Sequence, residues 1–171
     1  SFAQHSQWSY FISSEPAWVV GTGDLEPLPT GSTEFQGQGM MATTEGLMVH
    51  FRKGTGQGVR ITGSAGEITF DYEPSGWRLW QDIENPAAVK RVEMPWPDPQ
   101  MPHRMLQTVY GIADVIDCIE DRLDEPKASG RRQAMGLEVE IALKLSSAGG
   151  AARIDLPLAD RSLGLNYDWY R

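Results

Sequence analysis

The sequence predicts an α+β domain: one open, mostly antiparallel β-sheet with helices packed on one face. Three observations carry this. Short strands joined by tight turns run from Gln38 to Met94. Two amphipathic helices follow, one from His103 to Leu123 and one from Arg131 to Ser147. The chain then returns as a strand over Arg153–Leu158, ending Leu156-Pro157-Leu158.

The elements can be justified in order. Phe2, Trp8, Phe11 and Ile12 have helical spacing, and Glu15-Pro16 stops that segment because a residue before proline is pushed out of the α region. Ala17-Trp18-Val19-Val20 reads as a buried strand. Gly21–Gly39 is a loop by composition, longer than a structural connection needs, and long loops are often functional. Gln38–Thr44 and Gly46–Arg52 read as strands. In Glu67–Tyr72, Ile68, Phe70 and Tyr72 share one face while Glu67, Thr69 and Asp71 share the other. Val59–Gly63, Trp77–Trp80 and Val89–Met94 complete an antiparallel meander. The proline-rich segment Met94–Pro102 is extended. In the first long helix Leu106, Val109, Ile112, Ala113, Ile116, Ile119 and Leu123 form an apolar stripe, with Asp114, Asp117, Glu120, Asp121 and Asp124 opposite. In the second the stripe is Ala134, Leu137, Ile141, Ala142 and Leu145. Glu138 lies inside it, and a carboxylate there calls for an ion pair or cap contact with an arginine, with a place at a domain interface as the alternative. Helices on one face leave the other face for solvent or a partner.

Length and charge narrow the function. The chain has 171 residues, enough for one domain. Its formal net charge of -8 and the lack of a basic stripe argue against a nucleic-acid partner. A single cysteine, Cys118, forms no intrachain disulfide and fits a cytoplasmic location. No apolar run approaches the roughly 20 residues of a membrane helix, and Ser1–His5 lacks the features of a signal peptide. The absence of an initiator Met fits an excised part of a longer protein.

Few motifs carry chemistry. The dinucleotide fingerprint, the Walker A loop and the nucleophile elbow are absent. Gly54–Gly58 reads as a hairpin turn and Ser64 as a turn residue. His5, His50 and His103 are far apart, so no metal site is expected. Cys118 has no neighbour that would activate it and reads as a packing residue. His5 is the one histidine in aromatic company, beside Trp8 and Tyr10.

These residues resemble a known family. The helix Gln107–Leu123, the Glu125-Pro126 turn, Ser129-Gly130, the helix with Ala134, Leu137-Glu138-Val139 and Ala142, Ser146 or Ser147, and Leu156-Pro157-Leu158 are similar to the C-terminal domain of the Gfo/Idh/MocA oxidoreductases. That family includes glucose–fructose oxidoreductase, inositol dehydrogenase and the rhizopine-catabolism proteins. Ile61–Ile68 resembles a glycine-containing strand of the family. His5 followed by Glu15-Pro16-Ala17-Trp18-Val19-Val20 resembles the family's catalytic histidine region.

The resemblance implies a dihydrodipicolinate-reductase-like C-terminal domain spanning 1–171, which binds substrate and forms a homo-oligomer through its open sheet face. A Rossmann domain outside this chain would bind NAD or NADP, so this fragment alone is expected to hold no cofactor and to be inactive. The substrate would be a sugar, cyclitol or related polyol. His5 maps onto the catalytic histidine, an acid/base for a substrate hydroxyl. Trp8 and the Gly21–Gly39 loop are expected near the substrate. The family's aspartates four residues before and three after the histidine fall here on Ser1 and Trp8, so its orienting carboxylates are missing. The alternative is a non-enzymatic carbohydrate-binding or scaffold domain that has lost catalysis.

Overall fold

The computed structural model describes residues 7–24, 34–52, 58–71, 76–85, 88–97 and 107–165. After a 3-10 turn at Gln7–Tyr10 come β1 (Pro16–Thr22), β2 (Gln38–Thr43), β3 (Met48–Phe51), β4 (Gly58–Gly63), β5 (Gly66–Asp71), β6 (Gly76–Asn85) and β7 (Ala88–Met94). Helices α1 (Gln107–Ile119) and α2 (Gly130–Ala148) and strand β8 (Ile154–Asp155) follow. The class is α+β and the sheets are antiparallel, but there are two of them, in two compact units. One unit spans 1–53 and 108–171, the other 54–107.

In the first unit the strand order is β3-β2-β1-β8. The expectation of a single sheet fails for a physical reason. Alternation tells which face a side chain occupies, whereas hairpin turns tell only which sequential neighbours pair. The pairing of β1 with β8, Val19 opposite Ile154, joins distant parts of the chain and leaves no local mark.

Helix α2 packs on this sheet. Trp8, Val19, Phe35, Met41, Val139, Ala142 and Leu143 form the buried core, with Ile12, Val49, Phe51, Met135, Ile154, Leu156 and Leu158 around it. Glycines let helix and strands approach. A Cβ on Gly21 would lie 2.4 Å from the Leu143 carbonyl oxygen, and one on Gly39 would meet Leu143 Cδ2 at 2.7 Å. Since Val19, Gly21, Gly39 and Met41 face α2, alternation turns Trp18, Val20, Met40 and Met48 to the opposite side.

Helix α2 starts at a serine cap. Ser129 is extended, and its hydroxyl accepts the Arg132 N–H at 3.2 Å. It ends at Gly149, whose N–H donates to the Leu145 carbonyl at 2.9 Å. The chain then passes β8 and a cis Leu156–Pro157 bond. The Leu156 N–H donates to the Ala17 carbonyl, which fastens this segment to β1.

Helix α1 corrects a second expectation, that both helices cover the sheet. Its apolar stripe is turned outward: Val109 is 56%, Ile112 57% and Ile119 76% exposed. The acidic side makes the local contacts instead. Asp114 accepts the Lys127 N–H at 3.0 Å, and Asp117 pairs with Arg122 at 2.6 Å.

The helix predicted over Phe2–Ser13 is, within the described residues, only the turn at 7–10. The Trp8 carbonyl there accepts the N–H groups of Phe11 and Ile12.

The second unit is the meander β4-β5-β6-β7. Register puts Val59, Ile61, Ile68, Phe70, Trp77, Leu79, Val92 and Met94 on one face. Phe70 and Trp77 have ring centroids 4.6 Å apart, and Trp96 stacks on Trp77 at 5.5 Å. The other face carries Arg60, Thr62, Glu67, Thr69, Arg78, Trp80, Asp82, Arg91 and Glu93.

The glycine contacts give a paired prediction. Gly21→Ala drives a methyl into helix backbone and lowers stability by about 2 kcal/mol, the usual cost of overpacking. Gly111→Ala on α1 meets open space and raises or preserves stability. Denaturant midpoints of the two variants check this.

Candidate functional site

The long loop after β1 is fixed at both stems by buried polar groups on α2. On the incoming side, the Gly21 N–H donates to Ser146 Oγ at 2.8 Å, and that hydroxyl donates to the Ala152 carbonyl at 2.5 Å. The Asp24 N–H donates to Ser147 Oγ at 3.0 Å, and Ser147 donates back to the Asp24 carbonyl at 3.1 Å.

On the returning side, three consecutive residues are each held by a charged group. Lys144 Nζ approaches the Glu34 carbonyl at 3.5 Å, the Phe35 N–H donates to Glu140 Oε1 at 2.7 Å, and the Gln36 N–H donates to Asp24 Oδ2 at 3.3 Å. Asp24 and Lys144 close the circuit with an ion pair of 2.7 Å, their side chains 1% and 0% exposed. Breaking one partner of a buried pair of this kind strands a charge.

This cluster was missed by sequence reading, whose stripe caught only part of the buried face of α2: Ile141 and Ala142 are buried as expected, but the buried charges were not anticipated. Gly136, Val139, Leu143 and Ser146, spaced as one helical face, are buried, as are Glu140 and Lys144. Ala134, assigned to the stripe, is exposed. The usable signal was the loop itself, together with the Glu140/Lys144 pair four residues apart.

The candidates from sequence fare differently. His5, His103 and residues 25–33 of the loop lie outside the described residues. Trp8 is described: it is 5% exposed within the core, and its indole N–H has no hydrogen-bond partner. Its turn is tied to α2 by Arg132, whose Nη1 donates to the Ser9 carbonyl at 2.5 Å. His50 is exposed on β3, opposite Met40. Cys118 is half-buried, and burial together with nearby Asp114 and Asp117 raises its thiol pKa, which disfavours the thiolate. Glu138 has the partners its position called for. It accepts the Leu158 N–H at 2.7 Å and pairs with Arg161 at 2.9 Å.

A second polar cluster holds the start of α2. Glu125 accepts from Arg131 through Nε at 3.0 Å and Nη2 at 2.7 Å, and from the Ser129 hydroxyl at 2.5 Å. Arg131 also reaches Glu15 at 3.3 Å, which ties the cap to the entry of β1. The Arg131 hydrogen bonds, then Ser129, hold the Glu125 carboxyl down to about 2.

Among the described residues no group of three or more histidine, cysteine, aspartate or glutamate side chains is arranged to hold a metal ion. No helix there is long and apolar enough to cross a membrane. The chain matches no known family model, and no curated protein matches it.

The Glu125 cluster sets a pH dependence. Its folded pKa lies below the ordinary value of 4.5, so its contribution is fully present above that value and is lost as pH falls towards about 2. Thermal melts should show Glu125→Gln less stable than the parent near neutral pH, with the gap closing as the solution is acidified through that window. A gap independent of pH would contradict the assignment.

Proposed function

We propose that this chain is the substrate-binding and dimerisation domain of an NAD(P)-dependent oxidoreductase of the Gfo/Idh/MocA type, acting on a sugar, cyclitol or related polyol. The observation that carries the reading is that, among the described residues, a helix covers the β3-β2-β1-β8 sheet on one face only. Helix α2 occupies one face, and Leu156-Pro157-Leu158 closes onto β1. Trp18, Val20, Met40 and Met48 lie on the other face, with Arg153 4.9 Å over the Trp18 ring. The dihydrodipicolinate-reductase-like fold belongs to the same proposal. So does the homodimer, in which two such open faces meet.

The chemical roles follow from the residues. His5 takes the proton of the substrate hydroxyl as the adjacent carbon is oxidised. The nicotinamide, held by a Rossmann domain outside this chain, supplies the hydride acceptor. Trp8 is buried, and its unpartnered indole N–H is the group it offers to substrate or water. Asp24 and Phe35, clamped to α2, are the anchors of the loop expected near the substrate. A non-enzymatic carbohydrate-binding or scaffold domain is the second reading. It is favoured by Trp8 standing where the family pattern has an aspartate.

Sedimentation in the micromolar range should give a dimer for the chain and a monomer for Met40→Arg, with unchanged circular dichroism. Calorimetry should detect no NAD(H) binding. A monomeric parent chain would remove the dimer proposal, and tight nicotinamide binding would contradict the assignment of the cofactor to another domain.

A further inference from the structure

The polar face of the β4–β7 sheet contains a cavity of about 300 Å³, lined by Gly58, Val59, Arg60, Glu67, Thr69, Arg78 and Trp80. That is the small end of the range for ligand pockets, the size of a single sugar ring. We propose that it is a binding site for a sugar ring bearing a carboxylate, a hexuronate being the simplest case. The inference is independent of the oxidoreductase reading, because neither His5 nor a nicotinamide takes part.

The polar groups are fixed before any ligand arrives. Arg78 makes two hydrogen bonds to Glu93, at 2.6 and 2.7 Å, and its guanidinium lies 4.8 Å over the Trp80 ring. These contacts hold both the indole and the guanidinium in place. Glu67, with its side chain only 12% exposed, is held by the Thr62 hydroxyl at 3.2 Å and by Arg91 at 3.4 Å. Thr69 sits between Arg60 and Arg78 in the register, adding a hydroxyl to the cavity lining. Arg78 takes one face of the indole, so the other is assigned to the C–H face of the sugar. Carboxylate, hydroxyl and guanidinium groups at set positions match its hydroxyls.

The carboxylate preference comes from Arg60. Its ion pair with Glu67, at 3.5 Å, is looser than those of Arg78 and Arg91, and its side chain is 70% exposed. A carboxylate on the ligand can replace Glu67 as its partner at little cost, since exposed pairs contribute little. Glu67 keeps Thr62 and Arg91 after the exchange. Hence Trp80 recognises the ring, and Arg60 recognises the acid.

Saturation-transfer NMR on the 171-residue chain tests this with D-glucuronate, D-glucose and glutarate as probes. Glucuronate should receive saturation on its ring protons and bind about two- to fivefold tighter than glucose, the worth of one exposed ion pair. Glutarate, which lacks the ring, should not compete. Arg60→Gln should bring glucuronate down to the level of glucose, and Trp80→Ala should abolish both. If Trp80→Ala loses its β-sheet signal, the exposed Arg60→Gln variant carries the test alone. No saturation transfer to glucuronate, equal binding by Arg60→Gln, or competition by glutarate as strong as by glucuronate would overturn the proposal.

Discussion

The first unit depends on one buried ion pair, Asp24 with Lys144 at 2.7 Å. Two charges have been taken out of water, which is costly unless their remaining hydrogen-bonding capacity is used. Here it is used on backbone. Asp24 also accepts the Gln36 N–H, and Lys144 also approaches the Glu34 carbonyl. The neighbouring Glu140 takes the Phe35 N–H. Polar side chains on a helix thereby do for a loop what a neighbouring strand does for β1: they satisfy its main chain in a dry environment. Phe35 can then place its ring in the core beside Trp8 and Leu143, which couples the loop, the N-terminal turn and α2.

That arrangement explains which parts of the fold were legible in the sequence. Strands with local hairpin partners were readable, because alternation and turn residues both act over a few positions. β5, with Ile68 and Phe70 opposed to Glu67 and Thr69, is the clearest case. The inward face of α2 was readable only in part. A polarity pattern counts Glu140 and Lys144 as solvent-facing, so it assigns the core to Ala134, Leu137, Ile141, Ala142 and Leu145. The structure buries Ile141 and Ala142 of these, and adds Val139, Leu143 and Ser146 together with both charges. Once a buried charge has a partner far away in sequence, as Lys144 has in Asp24, polarity no longer reports on exposure.

The opposite error occurred at α1. Its stripe of Val109, Ile112, Ile116 and Ile119 has the period of a core-facing helix, and period alone predicts burial. The side that makes hydrogen bonds is the acidic one, through Asp114 and Asp117 to the turn that follows. Amphipathic periodicity says that two sides differ. It does not say which of them the rest of the molecule uses. The candidate site shows both limits: the loop was identified by its composition, whereas the groups that fix it came from a helix 105 to 125 positions away in the chain, beyond any local pattern.

The central claim is that the returning stem of the loop is part of the core rather than part of the surface. Native-state hydrogen exchange tests it most directly, because amides in one cooperative unit exchange with one opening free energy. The Phe35 and Gln36 amides should exchange as slowly as that of Met41 in the middle of the sheet, and with the same denaturant dependence. Phe35 and Gln36 exchanging orders of magnitude faster than Met41 would show that the buried charges do not hold the stem, and would contradict the account.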